Sequence, residues 1–403
     1  MITLDKLSPE DLAFQDEVRT FFAENLTPEM REAGRKTTWL ISEFEYGRQW
    51  QKILHSKGWG APAWPVEFGG TDWTVNQRMI WAVENARNRP PMISNMGRDL
   101  CAPCIMAFGT PEQKSFFLPR ILSGDDWWGQ GYSEPGAGSD LASLQTRADI
   151  DGDHYVINGS KIWTTMAHHS NRIFCLVRTS REERKQMGIS FLLLDIATPG
   201  IEIRPIINLA GEHEFNQVFF TDVRVPRSVL LGEEGKGWTV ARHLLAREHS
   251  GSVFDGLEMR RRLNLLEAIA SSEANGRGGV IMDDPVFRTK FAEVAVECET
   301  SDAVTRRLVK AVQADEMPPH LSELINIRRR ELGQKLTFLL MEALGHYGAP
   351  LQAEALHVGG KGVAGPAHAE TPTAFYLSQR AATIAGGTTE IHHNNVAKHV
   401  LGL

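Results

Sequence analysis

The spacing of apolar residues changes period twice along this chain, and that change limits the fold more than any single motif. The first part is helical. Ser8-Pro9-Glu10-Asp11 supplies a cap, a proline at the first helical position and acids in the first turn, and Leu12, Phe14, Val18, Phe21 and Phe22 follow at helical spacing. Thr110-Pro111-Glu112-Gln113 repeats the device as a capping box ahead of Phe116, Phe117, Leu118 and Ile121. Near Trp127 the period drops to two. Asp151-Gly152-Asp153 reads as a hairpin turn into the alternating His154-Tyr155-Val156-Ile157, and Asn158-Gly159 reads as a second turn. Ile173 to Val177, Ile189 to Leu194, Ile201 to Ile203 and Val218 to Phe220 are further short β-rich runs. After Gly235-Lys236-Gly237 the helical period returns through Val240, Leu244, Leu245, Leu257, Leu263, Leu265 and Leu266. A stretch from Gly348 to Pro372, rich in Gly, Ala, His and Pro, reads as a long surface loop or lid.

The expectation is an α+β chain of three parts: an N-terminal helical domain over 1–125, a central β-sandwich or barrel domain over 126–235, and a C-terminal helical bundle over 236–403. The length of 403 residues accommodates that many units, and 42% apolar with 23% charged residues argues against extended disorder. A formal charge of −7 argues against a broad electrostatic hold on nucleic acid or anionic lipid. No apolar run reaches the ~20 residues a membrane helix needs, and the N-terminus lacks a basic segment followed by an apolar one, so a cytoplasmic location is expected.

Several patterns fail on context. Cys101, Cys104, Cys175 and Cys298 are too scattered for a disulfide framework, and the Cys101/Cys104 pair, which lacks a second pair at zinc-finger spacing, reads as two small residues of a buried helix. Gly360, Gly362 and Gly365 satisfy a dinucleotide-loop pattern, but Pro366 follows and no strand precedes. Gly131-Tyr132-Ser133-Glu134 starts like a nucleophile elbow and then has Pro135 where the second glycine belongs. Adjacent histidines at 168/169 and 392/393 point in different directions on one element, so hydrogen-bonded or solvated imidazoles are expected and no metal site. Trp127 and Trp128 read as core or interface aromatics.

The most distinctive stretch is Tyr132-Ser133-Glu134-Pro135-Gly136-Ala137-Gly138-Ser139-Asp140, followed by Lys161-Ile162-Trp163-Thr164-Thr165. Glycines and short hydroxyl residues let backbone N–H groups approach a polar ligand, and a tryptophan offers a flat face, so a planar, phosphate-bearing cofactor suits such a wall. A tight turn beside a core tryptophan fits the same residues equally well on physics alone.

With these motifs in an α, β, α order, the chain resembles the acyl-CoA dehydrogenase family over nearly its whole length. The anchors are Gly69-Gly70 after Trp64-Pro65, Gly109-Thr110-Pro111-Glu112-Gln113, the Ser133 to Asp140 loop, Lys161-Ile162-Trp163, Asp222-Val223-Arg224-Val225-Pro226, Gly235-Lys236-Gly237 and Gly386-Gly387-Thr388-Thr389-Glu390-Ile391. The resemblance implies FAD, an acyl-CoA substrate oxidised across Cα and Cβ, an electron-transfer flavoprotein as acceptor, and a homo-oligomer (tetramer or dimer) or a heterotetramer. By position it implies that Gln130, Tyr132, Ser133, Gly138, Ser139, Trp163 and Thr165 wall the flavin, with Ser139 and Arg247 near the substrate. It further implies that Arg277, Glu342, Gly345, Thr388 and Glu390 reach the adenosine and pyrophosphate.

The chemistry needs a base for the α-proton and a hydride acceptor at the β-carbon. Many members carry the base as glutamate in a Tyr-Glu-Gly-Thr run, whose counterpart here is Ala385-Gly386-Gly387-Thr388, so the carboxylate is missing. Others carry it on the first helix after the β-domain, and that position is Glu248 here. Without the family frame Glu248 reads as an exposed helix residue beside Arg247 and His249.

Three departures accompany this. His249 follows the glutamate where an arginine is usual, and Glu342-Ala343-Leu344-Gly345-His346-Tyr347-Gly348 replaces the usual Gln-x-x-Gly-Gly-x-Gly. Gly278 to Pro285 replaces a stretch that contacts a neighbour's FAD. They leave open a flavin-poor subunit of an unlike α2β2 assembly, and a flavin oxidase or monooxygenase on the same scaffold. The displaced base favours a longer or branched acyl group.

Overall fold

A computed structural model describes residues 7–38, 43–250, 256–313, 321–361 and 364–403, while the side chains of 246–250, 256, 308–313 and 321–322 lie outside the described set. The expected roles of Arg247 and Glu248 fall on those side chains. The chain forms two compact units, one of residues 1–46, 73–92 and 249–403, the other of 47–72 and 93–248.

The second unit holds the β-domain. Its strands are β1 (Trp128–Gly131), β2 (Arg147–Asp151), β3 (His154–Lys161), β4 (Arg172–Arg178), β5 (Ile189–Asp195), β6 (Ile201–Ile207), β7 (His213–Pro226) and β8 (Leu230–Leu231). They join in one eight-stranded sheet, in the order β6-β7-β3-β2-β4-β5-β8, with β1 parallel to β4. The hairpin expected at Asp151-Gly152-Asp153 joins β2 to β3, with Asp151 opposite His154. The second expected turn is absent: β3 runs through Asn158-Gly159, and the register against β7 slips there in a bulge. Gly159 meets the need by adopting φ 146°, and a Cβ on it would lie 2.6 Å from Thr146 Oγ1.

β4 and β5 read as unbroken apolar runs because both of their faces are covered. Ile173, Cys175, Val177, Leu192 and Leu194 join Tyr155, Ile157, Val218 and Val223 in one buried cluster on one face of the sheet. Phe174, Leu176, Phe191 and Leu193 pack on the other face with Trp128 and Tyr132 and with helical residues Leu100, Ile105, Val240 and Leu244. Cys101 and Cys104 are buried in that second cluster as free thiols, as read from the sequence.

The helices of the first unit are α1 (Pro9–Asn25), α2 (Pro28–Lys36), α4 (Val75–Asn88), α8 (Gly256–Ala270), α9 (Pro285–Gln313), α10 (Leu321–Leu344), α11 (Pro372–Ser378) and α12 (Thr389–Val396). The sequence caps perform as expected. Ser8 Oγ accepts from Asp11 N at 3.1 Å and Asp11 answers to Ser8 N at 3.2 Å. α10 packs against α8, α9 and α12, and Leu263, Leu266, Phe287, Val294, Leu332, Leu336 and Leu340 fill the space between the first three. Four further α-helices occur among the described residues: α3 (Phe44–Ser56), then α5 (Ala102–Phe108) and α6 (Pro111–Ser123), with α7 (Gly237–Ser250) after the sheet. The described residues of the Gly348 to Pro372 stretch are mostly exposed or half-buried and carry only short 3₁₀ turns, in keeping with the surface loop expected there. Short 3₁₀ turns at Ala353–Leu356 and Ala367–Ala369 bury Ala355, Leu356 and Ala369, and Lys36 Nζ donates to His357 O at 2.6 Å.

Candidate active site

In the β-domain unit, two chain segments meet edge to edge. β1 ends at Gly131, where a Cβ would fall 2.3 Å from Cys175 Sγ, so only glycine lets the strand lie against β4. Beyond it Tyr132 is buried, edge-on to Phe174 and Phe191 at 5.8 and 6.3 Å. The other segment leaves β3 at Lys161. Ile162 N donates to Ser133 O at 2.9 Å, and Lys161 Nζ donates to Tyr132 O at 3.1 Å. Gln130, Tyr132, Ser133, Trp163 and Thr165 thereby share one neighbourhood.

A buried ion pair braces the loop from behind. Lys161 Nζ lies 2.7 Å from Glu134 Oε1, while the same carboxylate accepts from Gln145 N at 2.6 Å and Thr146 N at 2.9 Å. Burial would raise the Glu134 carboxyl, but the Lys161 charge and these donors outweigh it and hold the group below the usual range. Both residues lie in the motifs read from the sequence, yet nothing local announces that they pair.

Trp163 has a left-handed backbone, φ 60°, and is 56% exposed, packed edge-on to Phe215 at 6.0 Å. The left-handed turn holds the indole outward. Thr164 N donates to Asn216 O and Asn216 Nδ2 to Thr164 O, both at 3.0 Å, which anchors the turn to β7. The Ser133 and Thr165 side chains are half-buried and their hydroxyls take no protein partner. A Cβ at Gly136 or Gly138 would meet nothing within 4 Å, and Gly138 and Ser139 lie on the exposed far side of the loop. An outward indole face beside uncommitted hydroxyls and open glycine backbone fits a flat, polar ring system such as a flavin.

The remaining expected contacts lie in the first unit. Thr388 caps α12, its Oγ1 accepting from Ile391 N at 3.3 Å, and Glu390 stands exposed in the first turn, where the helix N–H groups, with Thr388, lower its carboxyl. Arg277 is exposed in a turn between Gly276 (φ 70°) and Gly278 (φ 91°). Glu342 and Gly345 lie at the end of α10, with Glu342 Oε1 2.7 Å from Lys290 Nζ and Gly345 at φ 50°. Gly386 (φ 67°) and Gly387 (φ 89°) form the loop into α12, and its carbonyls are held by Arg330, whose Nη2 donates to Gly386 O at 3.1 Å and whose Nη1 donates to Gly387 O. Below Gly387 lies His392, fully buried, its Nδ1 bonded to Glu323, which also accepts from Asn395 Nδ2 at 3.3 Å. Sequence reasoning missed Arg330 and the His392–Glu323 pair, because neither lies in a motif with its partner.

His168 stacks on His213 at 3.7 Å and contacts Asn216 Nδ2 through Nδ1 at 3.1 Å. Burial, with His169 and His213 alongside, pushes it down to about 4. These are hydrogen-bonded imidazoles, as expected. Among the described residues no group of His, Cys, Asp or Glu is arranged to hold a metal, and no helix is long and apolar enough to cross a membrane.

Residues 8–125, 129–223 and 235–401 match, in turn, the N-terminal, middle and C-terminal domains of acyl-CoA dehydrogenase. The chain is 35% identical over 401 residues to acyl-CoA dehydrogenase IpdE1 of Mycobacterium tuberculosis, covering 97% of each chain. Among solved structures it resembles the ChsE4-ChsE5 complex from Mycobacterium tuberculosis, with TM-score 0.82, 30% identity and coverage of 100% of this chain and 99% of that one. It also resembles the Tcur3481-Tcur3483 steroid ACAD, with TM-score 0.83, 29% identity and coverage of 99% and 98%. With helices on either side of a β-domain in sequence, the chain belongs to the acyl-CoA dehydrogenase family and is an acyl-CoA dehydrogenase.

Proposed function

We propose that this chain converts an acyl-CoA thioester to the trans-2-enoyl-CoA with FAD as cofactor and Glu248 as base. The observation that carries the assignment of the base is Gly386. It fills the position where many relatives have a glutamate, in a left-handed conformation that a glutamate side chain would strain, and Arg330 engages its carbonyl. Position 248 lies on α7, whose start is set by close packing: a Cβ on Gly237 would sit 2.5 Å from the Ser190 carbonyl carbon of β5. Eleven residues on, at 1.5 Å rise each, position 248 is roughly 16 Å along the helix from that fixed point.

In this reading Glu248 takes the α-proton as the β-hydrogen leaves with its electron pair. FAD supplies the hydride acceptor, N5 of its ring. Trp163 presents its ring face to the flavin, Gln130, Tyr132, Ser133, Gly138, Ser139 and Thr165 line it, and Ser139 and Arg247 orient the CoA thioester. Thr388 and Glu390, with Arg277, Glu342 and Gly345, hold the adenosine and pyrophosphate. Exclusion of water by the acyl chain would raise the Glu248 carboxylate toward the basicity that α-proton removal needs. Electrons then pass to an electron-transfer flavoprotein. The likeness to the Tcur3481-Tcur3483 steroid ACAD supports a bulky acyl group as substrate.

The test is anaerobic titration of the purified chain with straight, branched and alicyclic acyl-CoAs. A flavin absorbance band bleached by one class supports the reading and names the class. Glu248→Gln should keep the band and lose roughly 10²–10⁴-fold in the reductive rate. Near-normal bleaching by that variant would remove Glu248 from the mechanism.

A second reading has specific support. Glu342 stands where an amide is usual in the family, and its ion pair with Lys290 opposes a turn toward a nucleotide. A partner chain completing the flavin site, as an unlike pair, accounts for this.

A further inference from the structure

Helix α8 carries Arg260, Arg261 and Arg262 in a row, which the dehydrogenase reading does not use. Arg260 is balanced by Asp302 at 2.6 Å and Glu299 at 2.5 Å. Arg261 and Arg262 share one carboxylate instead. Arg261 Nη2 and Nε donate to the two oxygens of Glu258 at 2.6 and 2.7 Å, and Arg262 Nε donates to Glu258 Oε1 at 2.8 Å. Arg89, the left-handed C-cap of α4 with φ 46°, is near enough for the Arg261 and Arg262 charges to bear on its own. It donates to Arg35 O at 3.1 Å, while Arg35 itself is matched by Glu370.

Positive charge therefore outweighs negative at this point of the first unit. Arg262 bears most of the imbalance. The residue is 8% exposed, and its Nη1 is buried without a hydrogen-bond partner. One face of its guanidinium lies 4.1 Å over Phe375, and Nη1 looks toward Gly333 of α10, where a Cβ would be 3.6 Å away. Burial, with Arg261 and Arg329 opposing Glu258, draws Arg262 below the usual arginine range, and burial with Arg261 nearby brings Arg89 to about 10. A buried cation with a free N–H is unfavourable until an anion meets it.

We propose that Arg262, with Arg261 and Arg89, forms a binding site for a carboxylate. A single unpaired N–H edge beside an aromatic wall suits a flat monoanion better than a phosphate, whose tetrahedral oxygens call for donors on several sides. The carboxylate has two sources. One is an acid group on the acyl chain of the substrate, which rests on the function proposed above. The other is a free small carboxylate, which does not.

Two measurements on the full chain separate these. The first is the melting temperature in sodium glutarate against sodium chloride at equal ionic strength. The second is the ratio of kcat/KM for adipoyl-CoA to that for hexanoyl-CoA. Glutarate should raise the melting temperature, and Arg262→Leu should weaken the response roughly 10- to 100-fold in glutarate concentration. Arg89→Gln, which leaves α8 untouched, should weaken it less and covers the case in which the Arg262 variant does not fold. A preference for adipoyl-CoA that both variants abolish assigns the carboxylate to the substrate, whereas a glutarate response with no such preference assigns it to a free ligand. Equal melting in glutarate and chloride with no adipoyl preference overturns the site, and an equal response to phosphate overturns the carboxylate. Melting needs no turnover, so a chain inactive as a dehydrogenase still decides the question.

Discussion

Glu134 and Glu214 are both buried carboxylates of the β-domain, and their surroundings drive them in opposite directions. Glu134 has Lys161 and two backbone N–H donors against it and stays ionised. Glu214, on β7 and 1% exposed, has one donor, Asn208 Nδ2 at 3.2 Å, and its Oε1 is buried unpaired. Burial, reinforced by Glu212, pushes it up to about 8. The folded chain thus holds a proton that the unfolded chain releases near the ordinary 4.5. Below that pH both states are protonated and nothing is lost, whereas from there to about 8 the native state becomes progressively disfavoured. Glu214→Gln does not titrate and keeps the Asn208 bond. Its stability advantage over the parent should be near zero at the acid end and grow to ~2–5 kcal/mol at the alkaline end, read by denaturant unfolding across pH. A pH-independent difference would mean that Glu214 is not held protonated. Neither residue's state was legible in the sequence, since Lys161 and Asn208 count only once the sheet brings them close. By contrast, Gly386, on which the proposed assignment of the base turns, was legible as a bare identity.

Among the elements, caps and hairpin were read correctly because their causes are local. Thr110 and Gln113 exchange bonds at 3.2 and 3.1 Å as a capping box does in any helix start, and Asp151-Gly152-Asp153 turns the chain wherever it occurs between strands. Asn158-Gly159 has the same local grammar and became a bulge. The partner strand β7 continues past it, and pairing along Ser160 and Lys161 outweighs the tendency to turn. Gly159→Ala tests that account. The new methyl meets Thr146 at 2.6 Å in a conformation of φ 146°, and a loss of about 2–4 kcal/mol is expected from strain and overpacking together, measured by urea unfolding. A loss under ~0.5 kcal/mol would show that β3 can rearrange there at little cost. In the Gly348 to Pro372 stretch, composition and structure agree on a surface loop. Composition does not announce its closure: Thr373 Oγ1 bonds to Gly348 O at 3.0 Å and Gln352 Nε2 to Ala369 O at 3.1 Å, so side chains at both ends close it on itself.

At the scale of the whole molecule, each compact unit is assembled from separated stretches of chain, so packing partners are far apart in sequence. Whether one chain suffices for the flavin is decided at this scale. If Glu342 stays with Lys290, the chain expressed alone should be colourless and should turn yellow on coexpression with an unlike family member that supplies the amide. Glu342→Gln should restore part of the colour to the lone chain, read as flavin absorbance in the visible spectrum. A yellow lone chain removes the need for a partner. The sequence by itself determined the α, β, α order, the helix starts, the glycine-rich Ser133 to Asp140 loop and the glutamate available at 248, because periodicity, capping and residue identity act within a few positions of chain. Only the tertiary structure decided which charges find partners: Lys161 with Glu134, Arg330 with the Gly386 loop, His392 with Glu323, and Arg262 with an N–H left over. The physical reason is that burial multiplies the worth of a charge pair and the cost of a missing one, and burial is a property of the folded whole.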